Sequence, residues 1–164
     1  FTFFFENIGQ RLSNIPIKLN ATSKFALPEV YTFLEMYDAG RIEQLNILQR
    51  WMTNDSTKSL QAPIGIDTNG MPIVLDIHEK AHGPHGLVAG TTGSGKSELL
   101  QTWILSMALN YHPYDVSFVI IDYKGGGMAN LLEPLPHVVG KITNIGSNIG
   151  RSLVSLQSEI KRRI

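Results

Sequence analysis

The residues with the clearest chemistry in this chain are Gly90 to Ser97, which read Gly-Thr-Thr-Gly-Ser-Gly-Lys-Ser. Their spacing is that of a phosphate-binding loop. Backbone N–H groups can turn inward around one anion only where side chains are small or absent, which the glycines at 90, 93 and 95 provide. The Lys96 ammonium adds a point charge for the outer phosphates, and the Ser97 hydroxyl is suited to binding Mg²⁺. The sequence therefore predicts a nucleotide site with magnesium.

The predicted site is one continuous segment of the chain. Lys96 is predicted to bind the nucleotide and to be the catalytic residue, and Ser97 is predicted to be the magnesium ligand. Its cofactor-binding residues are Gly90, Thr91, Thr92, Gly93, Ser94, Gly95, Lys96, Ser97 and Glu98. The alternative is a surface loop that matches the pattern by chance. The flanking patterns argue against it, because an apolar strand is expected at 86–89 and an amphipathic helix after the loop. The apolar residues of that helix recur at three- and four-residue steps, namely Leu99, Leu100, Trp103, Ile104, Met107 and Ala108.

The composition is that of an ordinary globular protein of one domain, with 164 residues. Fourteen basic and fourteen acidic residues cancel, so bulk charge gives no support to a nucleic-acid partner. The absence of cysteine excludes a disulfide framework and a cysteine-ligated zinc site. Apolar runs are no longer than a strand, which argues against a transmembrane helix within these residues.

The elements that must position the loop follow from periodicity and turn residues. We predict helices at 28–36 and 41–51, a hairpin of 63–67 and 72–77 around Asn69-Gly70, and a strand at 116–122 that is buried on both faces. Together with the strand expected at 86–89, the strand at 116–122 predicts a right-handed βαβ unit. Residues 1–27 resist assignment.

A final amphipathic helix is marked by apolar residues at helical spacing, Ile149, Leu153, Leu156 and Ile160. The helix shows no stop signal and the chain does not begin with methionine, so we expect an excerpt of a longer polypeptide. We divide the chain into an N-terminal linker and helical segment at 1–60 and, at 61–164, the N-terminal part of the domain that contains the phosphate-binding loop.

Asp122 ends the predicted strand at 116–122 and could order magnesium in the way of the second nucleotide-site motif. An adjacent acid usually positions the attacking water in that motif, but Tyr123 follows here. No water-activating carboxylate is therefore visible at this position.

Residues 82–98, the Asp-Tyr-Lys-Gly-Gly-Gly run at 122–127 and Leu-Pro-His at 135–137 resemble the FtsK/SpoIIIE family of ring motors. More narrowly, the chain resembles the membrane-bound type VII secretion ATPases of the EssC/EccC group in Gram-positive bacteria. Residues 32–37 and 58–60 resemble the approach to the first motor domain of that group. The likeness covers 28–164.

The resemblance implies an α/β fold of the P-loop NTPase type, RecA/FtsK-like, with three layers around a mainly parallel sheet. The sheet would be incomplete here, because the strand with the magnesium- and water-handling Asp-Glu pair comes later in the family, and a helical and hairpin segment would precede it. The implied function is an ATPase with ATP and Mg²⁺ as cofactors that exports small helical proteins. This fragment alone is then expected to be inactive.

The resemblance also implies partners and a location. It implies a ring of identical subunits, which would be a hexamer as in the family. It also implies secreted helical substrates and other membrane components of the secretion system as partners. The domain would lie on the cytoplasmic side of the cell membrane. Two rival functions stay open: a DNA translocase of the same family, for which DNA would be the partner, and a nucleotide-binding regulatory module without turnover.

Other conspicuous residues have ordinary interpretations beside functional ones. His78, His82 and His85 could bind a metal, but shaping of a turn-rich loop explains them better. Lys124 could begin a second anion-binding turn or contact a neighbouring subunit. The basic residues at 161–163 suit the end of a helix better than DNA. Trp51 and Trp103 are expected in the core.

Overall fold

The computed structural model describes residue 28 and residues 30–124, 126–143 and 149–163. It has a helical N-terminal segment, an antiparallel hairpin, a long central helix and a pair of parallel strands. Residues 1–27, which the sequence leaves unassigned, lie outside the described residues. None of the described helices is long and apolar enough to cross a membrane.

The N-terminal segment contains two α-helices separated by a short 3-10 helix. Helix α1 is Phe33–Met36, the 3-10 helix is Ile42–Leu45, and α2 is Ile47–Thr53. The helix predicted at 28–36 therefore begins late. Its start is set by Thr32, whose hydroxyl accepts the Glu35 N–H at 3.3 Å while the Glu35 carboxylate accepts the Thr32 N–H.

The single helix predicted at 41–51 is wrong, because the chain changes conformation at Asn46. This residue has φ 51° and ψ 46°, which is left-handed backbone and separates the 3-10 helix from α2. Asparagine tolerates this conformation better than most residues. Apolar spacing alone does not detect such a break.

The predicted hairpin is confirmed. Strand β1 is Gln61–Ile66 and β2 is Pro72–Asp76, paired antiparallel from Gln61 opposite Asp76 to Ile66 opposite Pro72. The register shifts between Pro63 and Gly65, where an extra residue forms a bulge. The Asp67 carboxylate closes the turn by accepting the backbone N–H groups of Asn69 and Met71.

The helix predicted after the loop is confirmed as α3, Lys96–Asn110, and it organises the interior. Each of three buried apolar clusters includes a residue from α3 or its C-cap. Ile104 packs with Ile120, Ala129 and Leu132; Leu109 packs with Ala39 and Leu45; Met107 and Tyr111 pack with Ala62. One helix thus joins the N-terminal segment, the hairpin and the parallel strands.

The parallel sheet consists of β3, Phe118–Asp122, and β4, Val138–Thr143, joined through α4, Gly127–Leu132. Parallel strands need such a crossover connection. The α/β class with a parallel sheet is thereby confirmed. The last helix, α5, is Ile149–Arg163, as the apolar spacing predicted.

Two expectations about the sheet are wrong. Residues 86–89 form no strand; Leu87 is 94% exposed, and within the described residues β3 pairs with β4 instead. A strand forms only where a neighbour takes up its backbone N–H and C=O groups, so the βαβ unit is β3-α4-β4. Strand β3 is also not buried on both faces, because Val119 and Ile121 are exposed while Ile120 is buried.

Candidate nucleotide-binding site

The phosphate loop is shaped by left-handed glycines directly before α3. Gly93 has φ 79° and Gly95 has φ 83°, a region that side chains disfavour. Gly95 is the N-cap of α3, so the helix begins at Lys96 with its unpaired N–H groups next to the loop. The positive end of the helix dipole adds to the attraction for an anion.

Gly90 serves a different purpose, which is close approach. A Cβ atom built on Gly90 would lie 2.5 Å from the Ser94 hydroxyl oxygen and 3.5 Å from the Lys96 side chain. The loop therefore folds back onto its first residue. A further backbone hydrogen bond, from the Ser94 N–H to the Thr91 carbonyl at 3.3 Å, closes the turn.

The Lys96 ammonium lies within the loop that precedes it. It donates to the Gly90 carbonyl at 2.8 Å, to the Thr91 carbonyl, and to the Ser94 hydroxyl at 3.3 Å. The side chain is half-buried, and its charge is held at the concave side of the turn. An arriving phosphate meets a positioned cation, so little side-chain entropy is lost on binding.

Ser97 faces a cavity of about 380 Å³ beside the loop. The cavity lies between the first turn of α3 and the connection from β3 to α4, and its lining residues are Ser97, Leu100, Ile121, Asp122, Tyr123, Lys124, Gly127 and Met128. The cavity brings Ser97 and Asp122 together at the end of β3. Among the described residues, no group forms a hydrogen bond with the Ser97 hydroxyl.

The residues fit a magnesium nucleotide by the chemistry of their donors. The loop supplies backbone N–H groups and an ammonium for phosphate, and Ser97 supplies an unpaired oxygen, the atom type that Mg²⁺ prefers. Thr91, Thr92 and Glu98 are exposed members of the same loop and first helical turn. The role of each residue stays a prediction.

A larger groove of about 490 Å³ lies elsewhere and is almost entirely apolar. Its lining residues are Phe33, Leu34, Ile42, Leu45, Ile47, Trp51, Leu105, Ala108, Leu109, Leu135, Pro136 and His137. No lysine or arginine is among them, so this groove is chemically unsuited to polyphosphate. The smaller cavity next to Ser97 is the better candidate despite its size.

The histidines before the loop shape the backbone. The Nδ1 atoms of His78 and His82 accept the N–H groups of Lys80 and Asp76, at 3.2 and 3.0 Å. The Nε2–H of His78 then donates to the Thr57 carbonyl at 3.0 Å. Within the described residues, no group of three His, Cys, Asp or Glu side chains is arranged to hold a metal. The loop-shaping interpretation accounts for these three contacts of His78 and His82.

The Asp76 carboxylate anchors the same region. Partial burial acts to raise its pKa, but hydrogen bonds from the His78 N–H, the Ser59 hydroxyl and the Leu60 N–H outweigh this effect and lower the pKa. The carboxylate thereby connects the end of β2 to Leu60, the residue before β1, and to His78 in the turn that precedes the phosphate loop.

The N-terminal segment holds the far end of α3, which sequence patterns did not reveal. The last carbonyls of a helix lack intrahelical partners. The Trp51 indole N–H donates to the Ala108 carbonyl at 3.0 Å, and the Asn54 amide donates to the Asn110 carbonyl at 2.8 Å. The Arg50 guanidinium reaches the Asn110 side chain at 3.3 Å. Both ends of α3 are thus fixed, one by the phosphate loop and one by α2.

His137 was conspicuous only through the family resemblance, and the structure places it in the interior. It is 1% exposed, and its Nε2 lies 2.8 Å from the Tyr111 carbonyl oxygen. Its ring contacts Trp51 edge-on at 5.7 Å between centroids. It therefore links the start of β4 to the end of α3.

The chain is similar to several known proteins. The model of the FtsK/SpoIIIE family matches residues 45–164, more than half of the chain. The type VII secretion system protein EssC of Staphylococcus aureus strain NCTC 8325 is 50% identical over 159 residues, which cover 96% of this chain and 11% of EssC. The ESX secretion system protein YukB of Bacillus subtilis strain 168 is 51% identical over 141 residues, covering 84% of the chain and 9% of YukB.

A solved structure agrees with these relatives. The cytoplasmic domain of the Thermomonospora curvata type VII secretion ATPase EccC matches with a TM-score of 0.70 and 37% identity, over 83% of this chain and 16% of that one. The chain spans about a tenth of the length of the curated relatives it matches. By its sequence and its α/β architecture, the chain belongs to the FtsK/SpoIIIE family.

Proposed function

We propose that this chain is the ATP-binding part of a motor domain in a type VII protein secretion ATPase. The observation that carries the proposal is the Lys96 ammonium held within the phosphate loop, next to a cavity that the Ser97 hydroxyl faces. The identity of about one half to EssC and YukB supports secretion as the process that the ATPase serves.

Each residue of the loop has a defined task in this proposal. The N–H groups from Gly90 to Gly95 bind the phosphates, and Lys96 neutralises charge on the outer two as bond breaking begins. The Ser97 hydroxyl holds Mg²⁺, which would neutralise and orient the phosphate oxygens. Glu98 and the threonines at 91 and 92 complete the edge of the nucleotide site.

The proposal extends to the whole protein. We infer a membrane-anchored ATPase whose motor domains lie on the cytoplasmic side and assemble as a ring. The family resemblance favours six subunits. Its substrates are small secreted helical proteins, and it works with other membrane components of the secretion system. The division into a linker at 1–60 and the start of the motor domain at 61–164 belongs to the same proposal.

The balanced charge of the chain supports protein rather than DNA as the moved substrate. A protein that tracks duplex DNA makes several phosphate contacts through Lys and Arg, and this chain has no excess of them. The cluster at Lys161 and Arg162 lies on α5, where Arg162 pairs with Glu159 at 2.6 Å.

The experiment uses the full-length protein. It measures the binding of a secreted helical substrate in the presence and absence of duplex DNA, and the rate of ATP hydrolysis with each of the two. We expect saturable binding of the helical substrate that survives modest salt and is not displaced by DNA. Strong stimulation of hydrolysis by duplex DNA, with no effect of the secreted substrate, would replace secretion by DNA translocation. A protein that binds ATP and shows no turnover under either condition would instead be a regulatory module.

A further inference from the structure

The cavity beside Ser97 has two facing sides of different chemistry. The first turn of α3 contributes Ser97, and the end of β3 contributes Asp122 and the residues that follow it. Asp122 is half-buried, and it is the carboxylate among the lining residues. The acid next to Ser97 in sequence, Glu98, is not among them.

One oxygen of Asp122 is held by the backbone and the other is available. Oδ1 accepts the Lys124 N–H at 2.9 Å, which fixes the side chain at the end of the strand. In the part of the chain that the structure describes, Oδ2 has no hydrogen-bond partner. Oδ2 is therefore a half-buried acceptor without a hydrogen-bond donor, and a water molecule can donate that hydrogen bond.

Magnesium chemistry matches this arrangement. Mg²⁺ sheds its waters reluctantly and is usually held by one or two protein groups plus phosphate oxygens, with water in the remaining positions. A cavity of about 380 Å³ has room for on the order of ten water molecules. An ion bound at the Ser97 hydroxyl would therefore keep waters within the cavity that Asp122 lines.

We propose that Asp122 is a positioning residue for the magnesium ion, accepting hydrogen bonds from metal-bound water while Ser97 binds the ion directly. The proposal rests on the proposed nucleotide site and adds a role that the loop pattern does not contain. It assigns Asp122 no part in activating the attacking water. Lys124 contributes its backbone N–H, which holds Oδ1 of Asp122.

The test uses the full-length protein and a fluorescent N-methylanthraniloyl ADP as the probe. The fluorescence change of the Lys96→Ala variant is subtracted from that of the wild type. The difference reports ADP binding at the phosphate loop and excludes binding at other nucleotide sites. ADP affinity is measured in EDTA and then at increasing Mg²⁺ concentrations. The quantity compared between variants is the Mg²⁺ concentration at which half of the increase in ADP affinity is reached. This readout does not depend on hydrolysis.

We expect Asp122→Asn to raise the half-saturating Mg²⁺ concentration 10- to 100-fold, the usual effect of losing a group that supports a metal through its ligands. The asparagine carbonyl can still accept the Lys124 N–H, so ADP affinity in EDTA should not fall. Asp122→Ser tests the same point with another acceptor. The matched control is Asp115→Asn, an exposed acid in the connection after α3.

The possible outcomes distinguish the role of Asp122 from the proposed nucleotide-binding function on which it rests. If Asp122→Asn and Asp122→Ser both keep the wild-type half-saturation while Ser97→Ala raises it, Asp122 has no role in placing the metal and the nucleotide site stands. If Lys96→Ala removes no signal, the nucleotide site itself is wrong and the inference falls with it.

Discussion

The ammonium of Lys96 lies 2.8 Å from the carbonyl oxygen of Gly90, six residues earlier in the chain. This contact places the charge inside the turn before any phosphate arrives. The same carbonyls that hold the ammonium compete with phosphate for it, so binding exchanges hydrogen bonds to neutral carbonyl oxygens for hydrogen bonds to negatively charged phosphate oxygens.

Replacement of Lys96 by alanine should weaken ATP binding about 10- to 100-fold. The reason is the loss of a charged hydrogen-bond donor, which contributes about 1.5 to 3 kcal/mol. Calorimetric titration with a slowly hydrolysed ATP analogue measures the effect. Lys80→Ala, which removes an exposed ammonium from the turn before the loop, should bind as the wild type does. Equal affinities for all three proteins would exclude the loop as the nucleotide site.

The purified chain of residues 1–164 should bind ATP but hydrolyse it at a negligible rate. Positioning the attacking water needs a suitably placed acid, and the carboxylate that lines the cavity, Asp122, has Tyr123 rather than an acid beside it. A phosphate-release assay with Lys96→Ala as the background measures this. Robust hydrolysis that depends on Lys96 would show that an acid within these residues suffices.

Replacement of Trp51 by phenylalanine should lower the free energy of unfolding by about 1 to 3 kcal/mol. It removes the indole N–H that satisfies the Ala108 carbonyl at the end of α3 and leaves that acceptor without its donor. Urea denaturation followed by circular dichroism measures the loss.

Trp103→Phe is the matched comparison for that change. The Trp103 indole nitrogen is buried and has no hydrogen-bond partner among the described residues, so its removal loses no hydrogen bond. The destabilisation should therefore be clearly smaller than at Trp51. A larger loss at Trp103 would mean that packing, and not the capping hydrogen bond, governs both sites.

Acid should weaken the anchor at Asp76. The pKa of this carboxyl in the folded chain lies below its ordinary value of 3.8, because the hydrogen bonds it accepts outweigh its burial. A lowered folded pKa means that the carboxylate stabilises the fold above about pH 3.8 and that this contribution disappears as pH falls through the folded pKa.

The difference in unfolding free energy between the wild type and Asp76→Asn reports this term alone, since other carboxyls cancel. We expect the difference to be constant between pH 5 and pH 7 and to shrink from about pH 4 downward. A difference that stays constant down to pH 2.5 would show that Asp76 does not titrate in this way.

Local spacing alone predicted the phosphate loop, the helix that begins at Lys96 and the hairpin around Asn69-Gly70. These features depend on backbone conformations that particular residues favour within a few positions, so they can be read without knowing the rest of the fold. The family resemblance added the α/β class, which the parallel strands and the match to EccC confirm.

The tertiary structure decided what depends on distant partners. Leu87 and Val88 have the composition of a strand but no neighbour to pair with among the described residues, while the left-handed Asn46 divides an apolar stripe that reads as one helix. The cap that Trp51 places on Ala108 joins residues 57 positions apart. Ser97 and Asp122 meet across a cavity because a helix and a strand pack side by side, and packing at such separations leaves no periodic trace in a sequence.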